Sequence, residues 1–241
     1  MKAVILAGGL GKRLRPLTFS LPKPLLPLGE KPILEFIFEQ LRKFTIKEII
    51  LSTGYQSELI RAFCGDGSKF GVKIDYVKEN KALGTAGPLS LIRDRFSEDE
   101  TFILMNGDVV TKLDFSKMIR YHSEKKCQLT IGFTKFEYRS PFGVLKIEAG
   151  RLKDILEKPS KVYDISAGIY VVNSSVLDYI PHNTFFTVPD LARELLRFGK
   201  KVGTYKIEEF WVGIEHIDQF DEVLKELNKI DPGQTGRFHA Q

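Results

Sequence analysis

Cysteine is scarce in this chain: Cys64 and Cys127 are the 2 cysteines in 241 residues, with no CxxC and no histidine at ligand spacing. That argues against a disulfide framework and a structural zinc site, and predicts two buried thiols in a reducing compartment. No apolar run is long enough to cross a bilayer, so membrane association is not expected. The N-terminal MKAVILA runs straight into glycines without an h-region or cleavage site, which predicts a mature cytoplasmic chain. Histidine is sparse too: His122, His182 and His239 have no triad partners at telling spacing, and His216 reads as a helix-start or surface residue rather than a base. Neither a GK[ST] Walker loop nor a GxGxxG opening a helix occurs, which weakens the P-loop ATPase and dinucleotide-oxidoreductase readings.

What is present is a globular composition, 43% hydrophobic and 28% charged, with a net charge of +5. The charge is uneven: residues 1–31 hold Lys2, Lys12, Arg13, Arg15, Lys23 and Lys31 against Glu30, an excess that equals the net charge of the whole chain. The remaining residues are neutral overall. Positive charge gathered around a glycine-rich loop, with no RNA-binding aromatic signature, suits a compact polyanion such as a triphosphate better than nucleic acid.

Periodicity lays out the elements. Residues 2–7 form a strand buried on both faces, and Pro32 opens a helix in which Ile33, Leu34, Ile37, Phe38, Leu41 and Phe44 recur at three and four. Strand 47–53, helix 55–64, strand 72–77, helix 86–95, strand 101–106 and helix 114–125 follow, an alternation that predicts a parallel sheet with helices on both faces. Segments 128–136, 143–147, 151–157 and 165–172 are strand-like with no helix between them, predicting a mixed or antiparallel extension. Helix 188–198, strand 202–207 and a helix near 216–229 complete one domain over 1–230, with 231–241 as a flexible tail. The phenylalanines at 36, 38, 44, 185 and 186 read as packing.

The chemistry concentrates at Leu6-Ala7-Gly8-Gly9-Leu10-Gly11-Lys12-Arg13-Leu14-Arg15-Pro16-Leu17-Thr18, followed by Pro22-Lys23-Pro24. A buried strand ending in glycines lets backbone N–H groups approach phosphate oxygens, and the cations beyond neutralise them. Asp108 follows the apolar strand TFILMN, where ligands sit in open α/β sheets; a capping role is the competing reading.

These segments resemble the sugar-1-phosphate nucleotidyltransferases, or nucleotide-sugar pyrophosphorylases. The likeness continues in order through Leu83-Gly84-Thr85-Ala86-Gly87, Asn106-Gly107-Asp108, Phe142-Gly143-Val144, Glu157-Lys158-Pro159 and Ser166-Ala167-Gly168-Ile169-Tyr170. The resemblance implies a Rossmann-like three-layer α/β fold with a mostly parallel mixed sheet. It implies an enzyme in which a sugar 1-phosphate attacks the α-phosphorus of a nucleoside triphosphate and pyrophosphate leaves. By it, Arg13, Lys23 and Asp108 are catalytic. Leu6, Ala7, Gly8, Gly9, Gly11, Glu79 and Gly84 join those three in the nucleotide site, and Gly143, Glu157 and Lys158 meet the sugar phosphate.

The cofactor implied is Mg²⁺ on Asp108, and self-association is common in the family. Glu79 matches a base-edge position; a carboxylate accepts from the paired donors of guanine, which favours GTP, while an exposed loop glutamate is the competing reading.

One departure stands out. The family's Trp, one residue, Asp, Ile, Gly segment, whose aspartate is a second metal ligand, reads here Trp211-Val212-Gly213-Ile214-Glu215. Three outcomes stay open: Asp108 holds the metal with phosphates and water, Glu215 substitutes, or catalysis is lost and the protein binds a nucleotide sugar. Transfer to another phosphorylated alcohol, such as phosphocholine, is the nearest enzymatic rival.

Overall fold

The computed structural model describes residues 1–228; residues 229 and 230 and the tail expected over 231–241 lie outside them. A seven-stranded sheet is built from β1 (Lys2–Ala7), β2 (Glu48–Thr53), β3 (Lys73–Lys78), β4 (Thr101–Asn106), β6 (Leu129–Arg139), β9 (Ser160–Asn173) and β10 (Val202–Lys206). Outside it, β5 (Val109–Thr111) pairs with β11 (Trp211–Gly213), and β7 (Val144–Glu148) with β8 (Arg151–Leu156). The central order is β10-β6-β9-β4-β1-β2-β3. Strands β4, β1, β2 and β3 run parallel, and β9 is antiparallel to both neighbours. This is the mostly parallel mixed sheet expected.

Alternation along the buried strands sends side chains into two separate cores, which makes three layers. Ile5, Leu51, Ile103 and Met105 face one core with α1 (Ile33–Lys43), α2 (Ser57–Cys64), α3 (Phe115–Glu124) and α5 (Asp218–Asn228). Val4, Ile50, Phe102 and Leu104 face the other with α4 (Val188–Arg197). Helix α1 buries Ile33, Leu34, Ile37, Phe38 and Leu41, each worth roughly 1.5–3 kcal/mol relative to exposure. Its Pro32 is extended (φ −73°, ψ 159°) and caps the helix rather than starting it. Helix α3 is capped by the Asp114 carboxylate, which accepts from the backbone N–H groups of Ser116 and Lys117. Helix α4 carries a capping box between Thr187 and Asp190.

The helix expected over 86–95 is instead two 3₁₀ turns, Gly87–Leu91 and Arg93–Arg95. The first is held to a neighbouring loop: the N–H groups of Ala86 and Gly87 both donate to the Phe186 carbonyl, at 2.9 and 2.8 Å. Ile92, at φ −129°, then breaks the run. Strands β6 and β9 are also longer than the hydrophobic pattern suggested. They continue as a ribbon that ends in the β7–β8 hairpin, where Leu145, Ile147, Leu152 and Ile155 are exposed. The β6–β9 register shifts between Ser166 and Tyr170. Gly168 lies in that bulge at φ +67°, where a Cβ would come within 2.6 Å of the Asn106 side chain.

His122 is buried against Thr130, with its Nδ1 2.8 Å from the hydroxyl, and burial lowers its pKa. The unfolded chain therefore binds this proton more readily, so the contribution is full above the ordinary histidine value and lost as pH falls below it. Thermal melts should show stability falling below about pH 6.5, by at most about 1.4 kcal/mol per pH unit for one proton. In His122→Gln that part of the slope should be gone; an unchanged slope would assign it elsewhere.

Candidate active site

The strand order reverses at β1: β2 and β3 extend the sheet on one side and β4 lies on the other. Ligands of open α/β sheets bind beyond the carboxyl ends of strands at such a point. There the chain supplies Gly8 and Gly9 after β1 and Gly107-Asp108 after β4. The two turns touch, since the Gly107 N–H donates to the Leu6 carbonyl at 2.9 Å and a Cβ on Gly107 would lie 2.8 Å from that oxygen. Gly107 is thus required for Asp108 to stand beside the glycine loop. A Cβ on Gly9 would meet nothing within 4 Å, which leaves its backbone open to a ligand.

The loop after Gly9 is ordered from within. Gly11 adopts φ +58°, and the Thr18 hydroxyl donates to its carbonyl at 2.8 Å. Leu14 is buried as the anchor of the 3₁₀ turn Lys12–Leu14, which leaves Arg13 exposed on the outer side. Pro22 and Pro24 flank Lys23, whose side chain is 11% exposed.

Four charges meet here. The Lys23 Nζ lies 2.5 Å from the Asp108 Oδ2 and 3.4 Å from the Glu215 Oε2, while the Arg13 Nη1 lies 2.7 Å from the same Glu215 oxygen. Burial pushes the Asp108 carboxyl above its ordinary range, and the Glu215 carboxylate adds to this; the Lys23 ammonium opposes it. The β5–β11 pair delivers Glu215 to this place. Gly213 lies opposite Val109, the Ile214 N–H donates to the Asp108 carbonyl at 2.9 Å, and the Trp211 indole N–H is held by the Ala167 carbonyl at 2.8 Å. Three-residue strands carry no readable periodicity, so this pair escaped the sequence. So did Gln219, whose Oε1 accepts from the backbone N–H groups of Glu215 and His216 at 2.5 and 2.8 Å.

Glu79 is half-buried and held by hydrogen bonds rather than free on a loop. Its carboxylate accepts from the Ser52 hydroxyl at 2.8 Å and the Leu83 N–H at 3.2 Å, and a Cβ on Gly8 would come within 2.7 Å of it. Burial raises its pKa against those two hydrogen bonds. Gly84 (φ +79°) packs under the Phe186 carbonyl, and beside it Phe185 is 63% exposed, so Phe185 is not core packing.

Arg13, Lys23, Asp108 and Glu215 are therefore brought together, with Leu6, Ala7, Gly8, Gly9, Gly11 and Glu79 around them and Gly84 in the adjoining loop. Gly143 and Glu157 meet at the base of the β7–β8 hairpin, where a Cβ on Gly143 would lie 3.3 Å from the Glu157 carboxylate, and Lys158 follows at φ +44°. All three are exposed. Among the described residues, no hydrogen bond or ion pair joins them to the Lys23 centre.

A glycine loop with clustered cations at a strand-order reversal, facing a carboxylate, defines a phosphate-handling α/β protein of the nucleotide-binding kind. The chain matches the Nucleotidyl transferase family over residues 2–229 and belongs to it. It is 40% identical over 188 residues to mannose-1-phosphate guanylyltransferase 1 of Arabidopsis thaliana, covering 75% of this chain and 52% of that protein. It is 35% identical over 246 residues to mannose-1-phosphate guanyltransferase of Yarrowia lipolytica, covering 96% and 66%. Its fold is similar to that of HddC from Yersinia pseudotuberculosis complexed with GMP-PN, with a TM-score of 0.74, 25% identity, and coverage of 94% and 99%. The chain spans about half the length of the first curated relatives it matches.

Among the described residues, no group of three or more His, Cys, Asp and Glu is placed to hold a metal, and no helix is long and apolar enough to cross a membrane.

Proposed function

We propose that the protein transfers a nucleoside monophosphate from a nucleoside triphosphate, GTP by preference, to a sugar 1-phosphate, releasing pyrophosphate. The observation that carries this reading is the nearly buried Lys23 ammonium between Asp108 and Glu215, beside the open backbone of Gly9. An oxygen of the sugar 1-phosphate attacks the α-phosphorus, the bond from that phosphorus to the bridging oxygen breaks, and its electrons leave with pyrophosphate. The attacking oxygen is already anionic at neutral pH, so no general base is needed. What the reaction requires is alignment and neutralisation of charge.

In this scheme the backbone from Leu6 to Gly11 cradles the triphosphate, Lys23 faces the reacting phosphates and Arg13 the departing pyrophosphate. Gly84 lines the nucleoside side, and Gly143, Glu157 and Lys158 present the sugar phosphate from the hairpin. The donor set fits Mg²⁺, which takes oxygen ligands and keeps few of them from protein; Lys23 already marks a cationic position shared by two carboxylates. Asp108 would hold the ion, which when bound supplies neutralisation of the phosphate oxygens.

The preference for GTP is supported by the guanylyltransferase names of the Arabidopsis and Yarrowia relatives and by the GMP-PN bound to HddC. Mannose 1-phosphate is the first acceptor to test, since both relatives are named for it. The Glu79 carboxylate has lone pairs beyond the two engaged by Ser52 and Leu83 and can meet guanine donors. Glu79→Gln should lower the GTP/UTP ratio of kcat/KM by about tenfold, the scale of one charge-assisted hydrogen bond; an unchanged ratio would remove Glu79 from base selection.

Self-association, through exposed apolar side chains of the hairpin arm, and a cytoplasmic setting, consistent with two free buried cysteines, belong to the same reading. The test is pyrophosphate release across five nucleoside triphosphates and a series of hexose and heptose 1-phosphates, with phosphocholine included. The rival reading, a non-catalytic binder, rests on Gly213 and expects stabilisation by nucleotide sugar with no pyrophosphate in any combination.

A further inference from the structure

We propose that Glu215 supplies a second carboxylate beside Asp108 and makes nucleotide affinity conditional on the divalent cation: without the cation it ties down Arg13 and Lys23, and with the cation it releases them to the triphosphate. The inference rests on the nucleotide site proposed above.

Position 213 cannot serve as it stands. Glycine offers no side-chain carboxylate there, and a Cβ would meet only the Trp211 ring, at 3.3 Å. Two residues on, an extended chain returns a side chain to the same face. The Ile214 N–H bonded to the Asp108 carbonyl, and the Glu215 N–H bonded to Gln219, fix where that side chain starts. Its carboxylate ends on the same ammonium as Asp108, so two hard oxygen donors converge on one cationic position.

Magnitudes decide which contacts yield. Arg13 and Glu215 are 65% and 45% exposed, and a pair so open to solvent holds weakly. A triphosphate offering several charge-assisted hydrogen bonds outcompetes it once Glu215 has turned away. Lys23 differs, because at 11% exposure its ammonium cannot be left unpaired. If a cation takes Asp108 and Glu215, Lys23 needs a new anion at the same moment, and the phosphates are that anion. Cation and triphosphate therefore arrive together. In their absence Glu215 presents negative charge and an occupied Arg13 to any incoming phosphate.

The test is calorimetric titration of a non-hydrolysable GTP analogue into the wild-type protein, Glu215→Gln and Glu215→Gln/Gly213→Asp, each in EDTA and in Mg²⁺. Wild type should bind weakly in EDTA and about 10- to 100-fold more tightly with Mg²⁺. Glu215→Gln should bind more tightly than wild type in EDTA, by about threefold or more, and lose most of the Mg²⁺ enhancement. The double variant should regain the enhancement, which a merely structural role for Glu215 would not produce. Equal or weaker binding of Glu215→Gln in EDTA, or an undiminished Mg²⁺ enhancement in that variant, overturns the proposal alone. Failure of every protein to bind the analogue overturns it together with the nucleotide-site reading.

Discussion

Lys23→Met is expected to lower kcat/KM for nucleotidyl transfer by about 10³-fold, the scale for removing one preorganised charge from a reacting phosphate. The methionine fits the space of the lysine stem between Pro22 and Pro24, so the loop keeps its shape while the ammonium is lost. A second effect separates catalysis from folding. Asp108 would be left with no cation at 2.5 Å, and breaking a buried pair destabilises more than removing both partners. Thermal melts should therefore place Lys23→Met below wild type and the double variant Lys23→Met/Asp108→Asn back near it, while activity stays low in both. Recovery of activity with stability would mean that Lys23 acts on the fold and not on the phosphates.

Asp108→Asn should be comparably damaging, by about 10³-fold in kcat, and should flatten the dependence of rate on Mg²⁺. Asparagine keeps the shape of the β4–β5 turn, so the loss reads charge and not geometry. Because Lys23 and Asp108 act on the same reacting phosphates, one directly and the other through the cation, the double variant should be little worse than either single one, as for residues that act as a unit. Multiplicative losses would mean that the two act independently on the substrate.

Much of the fold is legible in the sequence. The continuous apolar runs KAVILA and TFILMN reported strands buried on both faces, and their glycine-rich exits are the two turns that meet beside Lys23. The uneven charge located the cationic loop, since Lys23 and Arg13 carry part of the excess in residues 1–31. What escaped depends on separation or on brevity. Resemblance groups Lys23 with Asp108, but their direct contact across 85 residues depends on the return of β4 beside β1.

The strands β5 and β11 are too short for a period of two, yet they decide that Glu215 faces Lys23. Segment 86–95 has a helical pattern, but Ile92, at φ −129°, divides it into two 3₁₀ turns. The sequence leaves Glu79 between a base-edge contact and an exposed loop residue, because nothing local announces Ser52 or Leu83 as its donors. The hairpin residues Gly143, Glu157 and Lys158 were recognisable by resemblance alone, since their spacing carries no chemistry of its own.

In the proposed reaction the α-phosphorus of the triphosphate passes to the sugar phosphate. The most direct measurement incubates the protein with Mg²⁺, mannose 1-phosphate and GTP labelled at the α-phosphorus, and follows label and pyrophosphate together. The account predicts that label appears in a nucleoside-diphosphate sugar in step with one pyrophosphate per transfer, and that both require the sugar phosphate. Label that stays in GTP with this acceptor and with every other sugar 1-phosphate supplied, while the folded protein is still stabilised by nucleotide, would contradict it.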